Sequence, residues 1–518
     1  MSANWLKDAI FYEVYPQSFR DTNDDGIGDL PGIIEKLPYI KELGCNGIWI
    51  NPCFDSPFQD GGYDVRDYKK IAPRYGTNED MVQLFKEAHK LGIKVLLDLV
   101  PGHTSEEHPW FQESAKAEEN EYSHRYIWTK MALARPKNYP FVAGEYPRDG
   151  AYIINFFKCQ PALNYGFWNC ENSWNHAIDD PAPMATREAM KDIMRFWLDM
   201  GCDGFRIDMA ESLVKNDPDH EGTKIVWRDI LGTIHAEYPE CAIVAEWGVP
   251  TESLDCGFDM DFVLDWNSTV SQVMMRNYIQ DRKTKEIIEN HSYFTKGSNA
   301  DATAFLKEFL PQYEAVQGKG LWCFITSNHD HVRPSAGLTE LERKLAFSWI
   351  FTMPGVPFLY YGDEIGMDYR NLPTKEGGYH RTGSRTPMQW DDSKNLGFSD
   401  APAEKLYLPV EDHASHTVSA QEGVKVSLLE TVRELIKLRH QEEELQSYSR
   451  FAVYQAESGS RLFAYKRGEN ILVATNPGSG TECCQLDGDY KILYTIGEPV
   501  VEGKTLKMPA QSFVVLKK

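Results

Sequence analysis

The apolar positions of this chain fall in short solid blocks rather than in alternation. Ile10–Phe19, Ile48–Cys53 and Lys94–Val100 are such runs, rich in Val, Ile and Leu. Strands buried on both faces, as in a parallel sheet, have this pattern. Between the blocks the spacing turns helical. Pro31 to Gly44 carries a proline near its start and a glycine at its end, the usual punctuation of a helix. Thr77-Asn-Glu-Asp80 opens a second helix as a capping box with Asp in place of Glu, and that helix runs to Gly92. A third helix is predicted at about 186–200, ending at Gly201. Further strands follow at Gly204–Met209, Ala242–Glu246, Asp261–Trp266, Leu321–Thr326 and Val356–Tyr361. Eight strands with intervening helices predict an α/β fold, the (β/α)8 TIM barrel.

Two stretches break the alternation. Residues 104–178 are rich in Asn, Pro, Tyr and Glu and show no clear helix. A structureless loop of that length is uncommon inside a compact domain, so it reads as an inserted subdomain after strand three that walls the barrel mouth. Toward the C-terminus, Phe451–Tyr454, Arg461–Tyr465, Ile471–Asn476, Tyr490–Thr495 and Ser512–Leu516 are short strands with Gly-rich turns between them. They predict an antiparallel β-sandwich over 431–518, leaving 1–103 and 179–430 to the barrel.

Composition narrows the function classes. Lys plus Arg is 54 against 77 Asp plus Glu, a net charge of −23. Nucleic-acid binding needs a basic footprint, and none is visible. The N-terminus lacks a basic segment followed by an apolar one, so no secretory signal is expected. No apolar run reaches the ~18–20 residues of a membrane span. The most apolar stretch, Leu345 to Tyr361, contains Pro354 and Pro357 and reads as a buried helix leading into a strand. Of the ten cysteines, Cys45, Cys53, Cys202, Cys241 and Cys323 sit in or beside apolar runs, Cys483 and Cys484 are adjacent, and no C-x-x-C pair occurs. A reduced, cytoplasmic protein without structural zinc or organic cofactor is expected.

In a TIM barrel, polar residues at the C-terminal ends of strands face the active site. Strand three carries Asp98 inside its apolar run, with His103 just beyond. Strand four reads DGFRIDMA, placing Arg206 and Asp208 two apart and on one face. The cation should hold Asp208 ionised, as a nucleophile requires. Strand five ends at Glu246 between apolar residues, where burial should raise the carboxyl toward general-acid use. Strand seven ends ITSNHDHVR, with His329 and Asp330. Any one of these has an ordinary structural explanation; their gathering at the ends of different strands of one barrel does not. Two carboxylates flanking a bond are the equipment of glycoside hydrolysis, and a separation of ~5–5.5 Å predicts retention through a covalent intermediate. Asp208 would attack, Glu246 would act as acid and base, and Asp330 would bind hydroxyls and stabilise the developing cation.

At these residues the chain resembles the α-amylase family of glycoside hydrolases. The motifs are DLVPGH, GFRIDMA, VAEWG and SNHD. The start, FYEVYPQSFRDTNDDGIGDLPGI, and GGYDVRDY, QPALNY, GVPFLYYGDEIGM and SRTPMQWDD are similar to the oligo-1,6-glucosidase and α-glucosidase branch. The resemblance spans nearly the whole chain. It implies that Asp208, Glu246 and Asp330 are the catalytic triad and that Arg206, His103 and His329 bind sugar. It further implies Tyr63 as the aromatic platform, Asp98 as a supporting acid, and Asp60 with Arg385 as the pair that grips the non-reducing end and closes the pocket. A closed pocket implies exo-action on a small α-glucoside.

Several positions depart from the family pattern. Gly102 replaces an Asn that binds calcium in many amylases, so that site is expected to be absent. His331 and Val332 replace the usual Gln-Pro and should line the pocket mouth. Met209 fits neither linkage pattern, leaving α-1,4 and α-1,6 open, and Gly61 stands where Asn is common. Oxygen side chains alternate along Asp21-Thr-Asn23-Asp-Asp25-Gly-Ile27-Gly-Asp29, like the first half of a calcium loop, although Gly32 excludes an EF-hand. The resemblance implies one structural Ca2+ here, held by side chains of Asp21, Asn23, Asp25 and Asp29 and the carbonyl of Ile27. Glucosyl transfer, as in trehalose synthase, sucrose isomerase or sucrose phosphorylase, stays open beside hydrolysis. Non-catalytic transporter-associated relatives fit less well, because they typically lack the carboxylates and carry a membrane helix. Oligomeric state is not readable.

Overall fold

The computed structural model describes residues 3–518 except 265–269, 271, 282, 284–285, 378–379 and 412–415. Eight strands close a parallel barrel: β1 (Phe11–Val14), β2 (Gly47–Ile50), β3 (Lys94–Leu99), β4 (Gly204–Ile207), β5 (Ala242–Ala245), β6 (Met260–Phe262), β7 (Leu321–Ile325) and β8 (Val356–Tyr360). Each pairs with its neighbours in sequence, and β8 closes on β1. The strands are shorter than the apolar runs. β1 stops at Val14 because Pro16 opens a 3-10 turn over Pro16–Ser18. β6 ends at Phe262, and the outer end of its predicted run, at Asp265 and Trp266, lies outside the described residues.

The solid apolar blocks follow from burial on both faces. Phe11, Trp49, Leu96, Val244, Met260, Phe262, Ile325 and Phe358 fill the barrel interior, with Phe11 stacked on Phe358 at 4.5 Å between centroids. Alternate residues such as Ile48, Ile50, Val95, Leu97, Phe205 and Ile243 belong to the larger core outside the barrel. Helix α1 (Leu30–Leu43) is capped by Asp29, which accepts from the Gly32 N–H, and ends at Gly44 with φ 101°. Helix α2 (Asn78–Lys90) has the reciprocal Thr77–Asp80 capping box. Helix α3 begins earlier than the spacing indicates, at Pro181, and runs to Asp199, with Pro181 in its first turn. Helix α4 (Glu340–Thr352) leads into β8, as the pattern at 345–361 implied.

The insertion after β3 holds one short helix that the sequence reading missed, Pro109–Ser114, and a hairpin of Phe141–Ala143 with Ala151–Ile153. The five expected C-terminal strands form one antiparallel sheet, in the order Phe451–Ala456, Phe463–Arg467, Ile471–Asn476, Ser512–Lys517, Lys491–Ile496. A second sheet, Glu482–Gln485, Thr505–Met508 and Val500–Glu502, was not legible. Ala464, Leu472, Cys484, Leu506, Met508, Val514 and Leu516 pack between the two sheets, which makes the unit a sandwich. Its boundary needs correction. A cut at 430/431 would divide helix α5 (Leu428–Gln441), whose Leu429, Val432, Leu435 and Ile436 join the main core and whose Arg439 donates to the carbonyls of Phe351 and Met353. All ten cysteines are unpaired. Among the described residues no helix is long and apolar enough to cross a membrane.

Candidate active site

Barrel register brings the acids together. Asp98 on β3 stands opposite Arg206 on β4. The ladder continues one residue past the strand ends, with the Asp208 N–H donating to Leu99 O and the Glu246 N–H to Ile207 O, both at 2.9 Å. Three carboxylates thereby converge on one buried guanidinium. Arg206 Nη1 lies 2.8 Å from Asp98 Oδ1 and 3.0 Å from Asp208 Oδ1, and Nη2 lies 2.6 Å from Glu246 Oε2. After Asp208 the chain turns through Met209 in the left-handed region (φ 43°). The Met209 N–H then donates to Glu246 Oε2 at 3.0 Å.

One cation cannot offset three buried negative charges. Burial pushes Asp98 up to about 6, against the pull of Arg206. It also raises Glu246, as the sequence implied. The expectation that Arg206 alone would hold Asp208 in the ordinary carboxylate range is corrected. Burial raises Asp208 well above that range, and the Glu246 charge adds to the effect. Burial thus raises both carboxyls of the pair held by Arg206.

Asp330 has the opposite environment. Its Oδ1 takes Arg381 Nη1 at 2.8 Å and Arg385 Nη2 at 2.9 Å, while Oδ2 lies 3.4 Å from His329 Nε2. Burial alone would raise this carboxyl; Arg381 and Arg385 overcome it and hold Asp330 well below the usual range. His329 itself is neutral because it is wholly buried. Its Nδ1 is 2.9 Å from Glu13 Oε1, and its Nε2 is 2.6 Å from Tyr63 Oη. Tyr63 stacks on the His329 ring at 5.4 Å and reaches Asp98 at 3.2 Å. Burial drives His103 down to about 3. Its Nε2 is 3.1 Å from the Tyr63 carbonyl and its Nδ1 is 3.1 Å from Asn155 Nδ2. Gly102 permits the latter contact, since a Cβ there would sit 2.9 Å from Asn155 Nδ2.

These groups surround a cavity of about 280 Å³ lined by Asp60, Tyr63, His103, Phe156, Phe157, Asp208, Met209, Glu211, Glu246, Asp330 and Arg381. That is near the lower end of small-molecule pockets, roughly 300–1,000 Å³. The arginine facing Asp60 is Arg381, not the expected Arg385. Arg381 forks between Asp60 and Asp330, and Gln160 Nε2 donates to Asp60 at 2.7 Å. Arg385 lies beneath, 1% exposed, bound to Glu376 at 2.7 Å and to Tyr15 Oη at 2.9 Å. Gly61 (φ 59°) makes room for it, since a Cβ there would meet Arg385 Nη1 at 2.7 Å. His331 does not line the mouth as expected. It is buried and folded back onto Asn328 Oδ1 at 2.6 Å. Sequence reasoning missed Arg381, Phe156, Phe157 and Glu211. The segment HRTGSR offered two arginines with no spacing to choose between them, and the phenylalanines lie in the insertion, where no periodicity marks an inward face.

The Asp21–Asp29 loop is compact. Asp21, Asn23 and Asp25 each accept a hydrogen bond from the N–H two residues ahead. Asp29 accepts from Thr22 and Gly32. The oxygen donors suit Ca2+ in type. Among the described residues, the group of three His, Cys, Asp or Glu side chains whose ligand atoms all lie within 4.8 Å of one another is elsewhere, at Asp368, Glu411 and His416.

A buried carboxylate pair at the C-terminal mouth of a (β/α)8 barrel, with a third acid held ionised beside it, defines a glycoside-processing active site. The model for the alpha amylase catalytic domain matches residues 13–448, and the chain belongs to the α-amylase family, in its α-glucosidase branch. It is 34% identical over 559 residues to the oligo-1,6-glucosidase of Heyndrickxia coagulans, covering 94% of this chain and 95% of that one. It is 33% identical over 502 residues to the trehalose synthase/amylase TreS of Mycolicibacterium smegmatis, covering 84% and 76%. The crystal structure of an isomaltulose synthase mutant from Erwinia rhapontici NX5, in complex with its natural substrate sucrose, superposes with a TM-score of 0.81 at 26% identity, covering 99% of both chains.

Proposed function

We propose that the protein is a retaining, exo-acting α-glucosidase that hydrolyses short α-glucosides of the maltose or isomalto-oligosaccharide class. The observation that carries this reading is the shared Arg206 guanidinium, which holds Asp208 and Glu246 in the lining of one cavity together with Asp330 and the Asp60–Arg381 pair. Asp208 attacks the anomeric carbon as Glu246 gives its proton to the leaving oxygen. Glu246, now a carboxylate, takes a proton from water, and the hydroxide oxygen displaces Asp208 to restore the original configuration. Asp330, kept ionised by two arginines, stabilises the oxocarbenium-like transition state. The Asp21–Asp29 loop holds a structural Ca2+ through the side chains of Asp21, Asn23, Asp25 and Asp29 and the Ile27 carbonyl. Ten unpaired thiols fit a reducing compartment such as the cytoplasm.

A second reading is transfer of the glucosyl group to a sugar, which uses the same covalent intermediate. Its support is the likeness to a trehalose synthase and to an isomaltulose synthase. Incubation with maltose, isomaltose, sucrose and trehalose, followed by chromatography and anomer analysis of the products, decides between them. Free α-glucose as the first product supports hydrolysis with retention. Isomerised or transferred disaccharide supports the second reading. β-Glucose as the first product refutes retention.

A further inference from the structure

Glu211 is an acid that neither the mechanism nor the fold uses. It lies three residues past Asp208, in the 3-10 turn Ala210–Ser212 that follows the left-handed Met209. That turn is pinned to β5, with the Ala210 N–H donating to Glu246 O at 3.1 Å beside the Met209–Glu246 bond. The turn thus delivers Glu211 into the cavity lining next to Met209 and Glu246. Its Oε2 is buried and has no hydrogen-bond partner among the described residues. Lys215, a nearby cation, spends its Nζ on Ser212 O at 2.8 Å and Asn155 Oδ1 at 3.2 Å. Burial, with Glu246 and Asp261 adding, pushes Glu211 up to about 8.

A buried carboxyl oxygen without a partner costs stability. Folding gives no reason to keep it, so the group is available to a ligand. Its side of the cavity follows from the chemistry. Glu246 protonates the leaving oxygen, so the departing sugar lies on the Glu246 side. Glu211 lines the cavity in the turn after Met209, whose N–H is bound to Glu246 Oε2, while Arg381 ties Asp60 to Asp330.

Building on the α-glucosidase reading, we propose that Glu211 determines specificity on the leaving-group side, hydrogen-bonding a hydroxyl of the sugar that departs from, or attacks, the glucosyl intermediate. A protonated carboxyl both donates and accepts there, which suits a sugar hydroxyl and gives nothing to an aromatic aglycone. Glu211 is a contact of the second sugar and takes no part in the bond changes.

The test compares wild type, Glu211→Gln and Glu211→Ala on maltose, isomaltose and p-nitrophenyl α-glucoside. The readout is the ratio of kcat/KM for each disaccharide to that for the p-nitrophenyl substrate, which is insensitive to the fraction of folded enzyme. In Glu211→Ala the ratio for at least one disaccharide falls about five- to tenfold, the size of one hydrogen bond. Glu211→Gln, which keeps a donor and an acceptor, retains most of it. The Tm of Glu211→Ala holds or rises, since no native partner is lost. An unchanged ratio for both disaccharides overturns the assignment, as does a fall in Tm with all substrates declining together. Wild type inactive on all three substrates overturns the α-glucosidase reading, and the assignment with it.

Discussion

Arg206 Nη2 and Glu246 Oε2 stand 2.6 Å apart, the shortest of the three contacts that bind this one guanidinium to Glu246, Asp98 and Asp208. The contact fixes which oxygen of Glu246 carries the proton. Oε2 already accepts from Arg206 and from the Met209 N–H, so Oε1 is the acid. It follows that the general acid is set by the residue flanking the nucleophile in sequence, and that the two carboxylates are positioned as one unit.

Glu246→Gln keeps both contacts to Oε2 but has no proton to give. Its kcat/KM for maltose should fall about 10²–10⁴-fold. Substrates whose leaving group needs no protonation, such as α-glucosyl fluoride, should still glucosylate Asp208. The signature is accumulation of a covalent adduct, located on the Asp208 peptide by mass spectrometry. Because the Glu246 carboxyl is raised by burial, the wild-type loss of kcat/KM with rising pH should flatten in this variant. Absence of any adduct on Asp208 counts against the assigned roles.

Removing the shared cation tests the same unit from the other side. Arg206→Ala leaves Asp98, Asp208 and Glu246 without a partner charge. Breaking a buried ion pair costs about 3–5 kcal/mol, so both activity and urea midpoint should collapse. An active Arg206→Ala enzyme with an unchanged midpoint contradicts the charge accounting given above.

Glu364 offers a pH experiment away from the chemistry. Its Oε1 accepts from Tyr12 at 2.6 Å and Tyr39 at 2.7 Å, its Oε2 is buried without a partner among the described residues, and burial pushes the carboxyl up to about 7. A group raised in the folded state stabilises the fold while protonated. That contribution is complete below the unfolded value near 4.5 and is lost as pH rises through 7. Wild-type stability should therefore decline between pH 5 and 7 by up to about 3 kcal/mol from this residue. In Glu364→Gln this part of the decline disappears. Parallel Tm–pH curves for the two proteins refute the assignment.

The barrel was legible because each strand is buried on both faces and reads as a solid apolar block, as Ile48–Ile50 and Val95–Leu97 show. Asp98, Asp208, Glu246 and Asp330 stood out as charges at the ends of such blocks. The insertion was opaque for the converse reason. Phe156 and Phe157 lie in bends spanned by the Ile154–Pro161 bridge, which leave no periodic trace, and Phe156 is 49% exposed. Glu211 looked like any acid in a turn, since the left-handed Met209 that aims it inward has no sequence signature. The upward shift of Asp208 was not legible because counting Arg206 alone ignores burial and the two other acids it serves.

For the Asp21–Asp29 loop the expected result is linkage to a cation. Ca2+ at 100 times its dissociation constant should stabilise the protein by about 2.7 kcal/mol, raising Tm, and a chelator should reverse it. Asp25→Asn should reduce the increment without affecting kcat. If Tm is the same with Ca2+ and with chelator, the loop is held by its own amides, several of which its side chains already satisfy.

The two arginines of HRTGSR should separate by phenotype. Arg381 lines the cavity and spans Asp60 and Asp330, whereas Arg385, which also reaches Asp330, is 1% exposed beneath it among Glu376, Tyr15 and the His329 carbonyl. Lysine keeps the charge but not the planar fork. Arg381→Lys can hold Asp60 or Asp330 but not both, which loosens the glucose end of the pocket. A misplacement of about 1 Å there costs about 10²-fold in kcat/KM, while the buried lysine still carries a charge to offset Asp60 or Asp330. Arg385→Lys should instead lower Tm by several degrees, because the buried Glu376 loses its guanidinium partner. A purely kinetic Arg385→Lys and a purely unstable Arg381→Lys would reverse the assignment and restore Arg385 as the residue that grips the sugar.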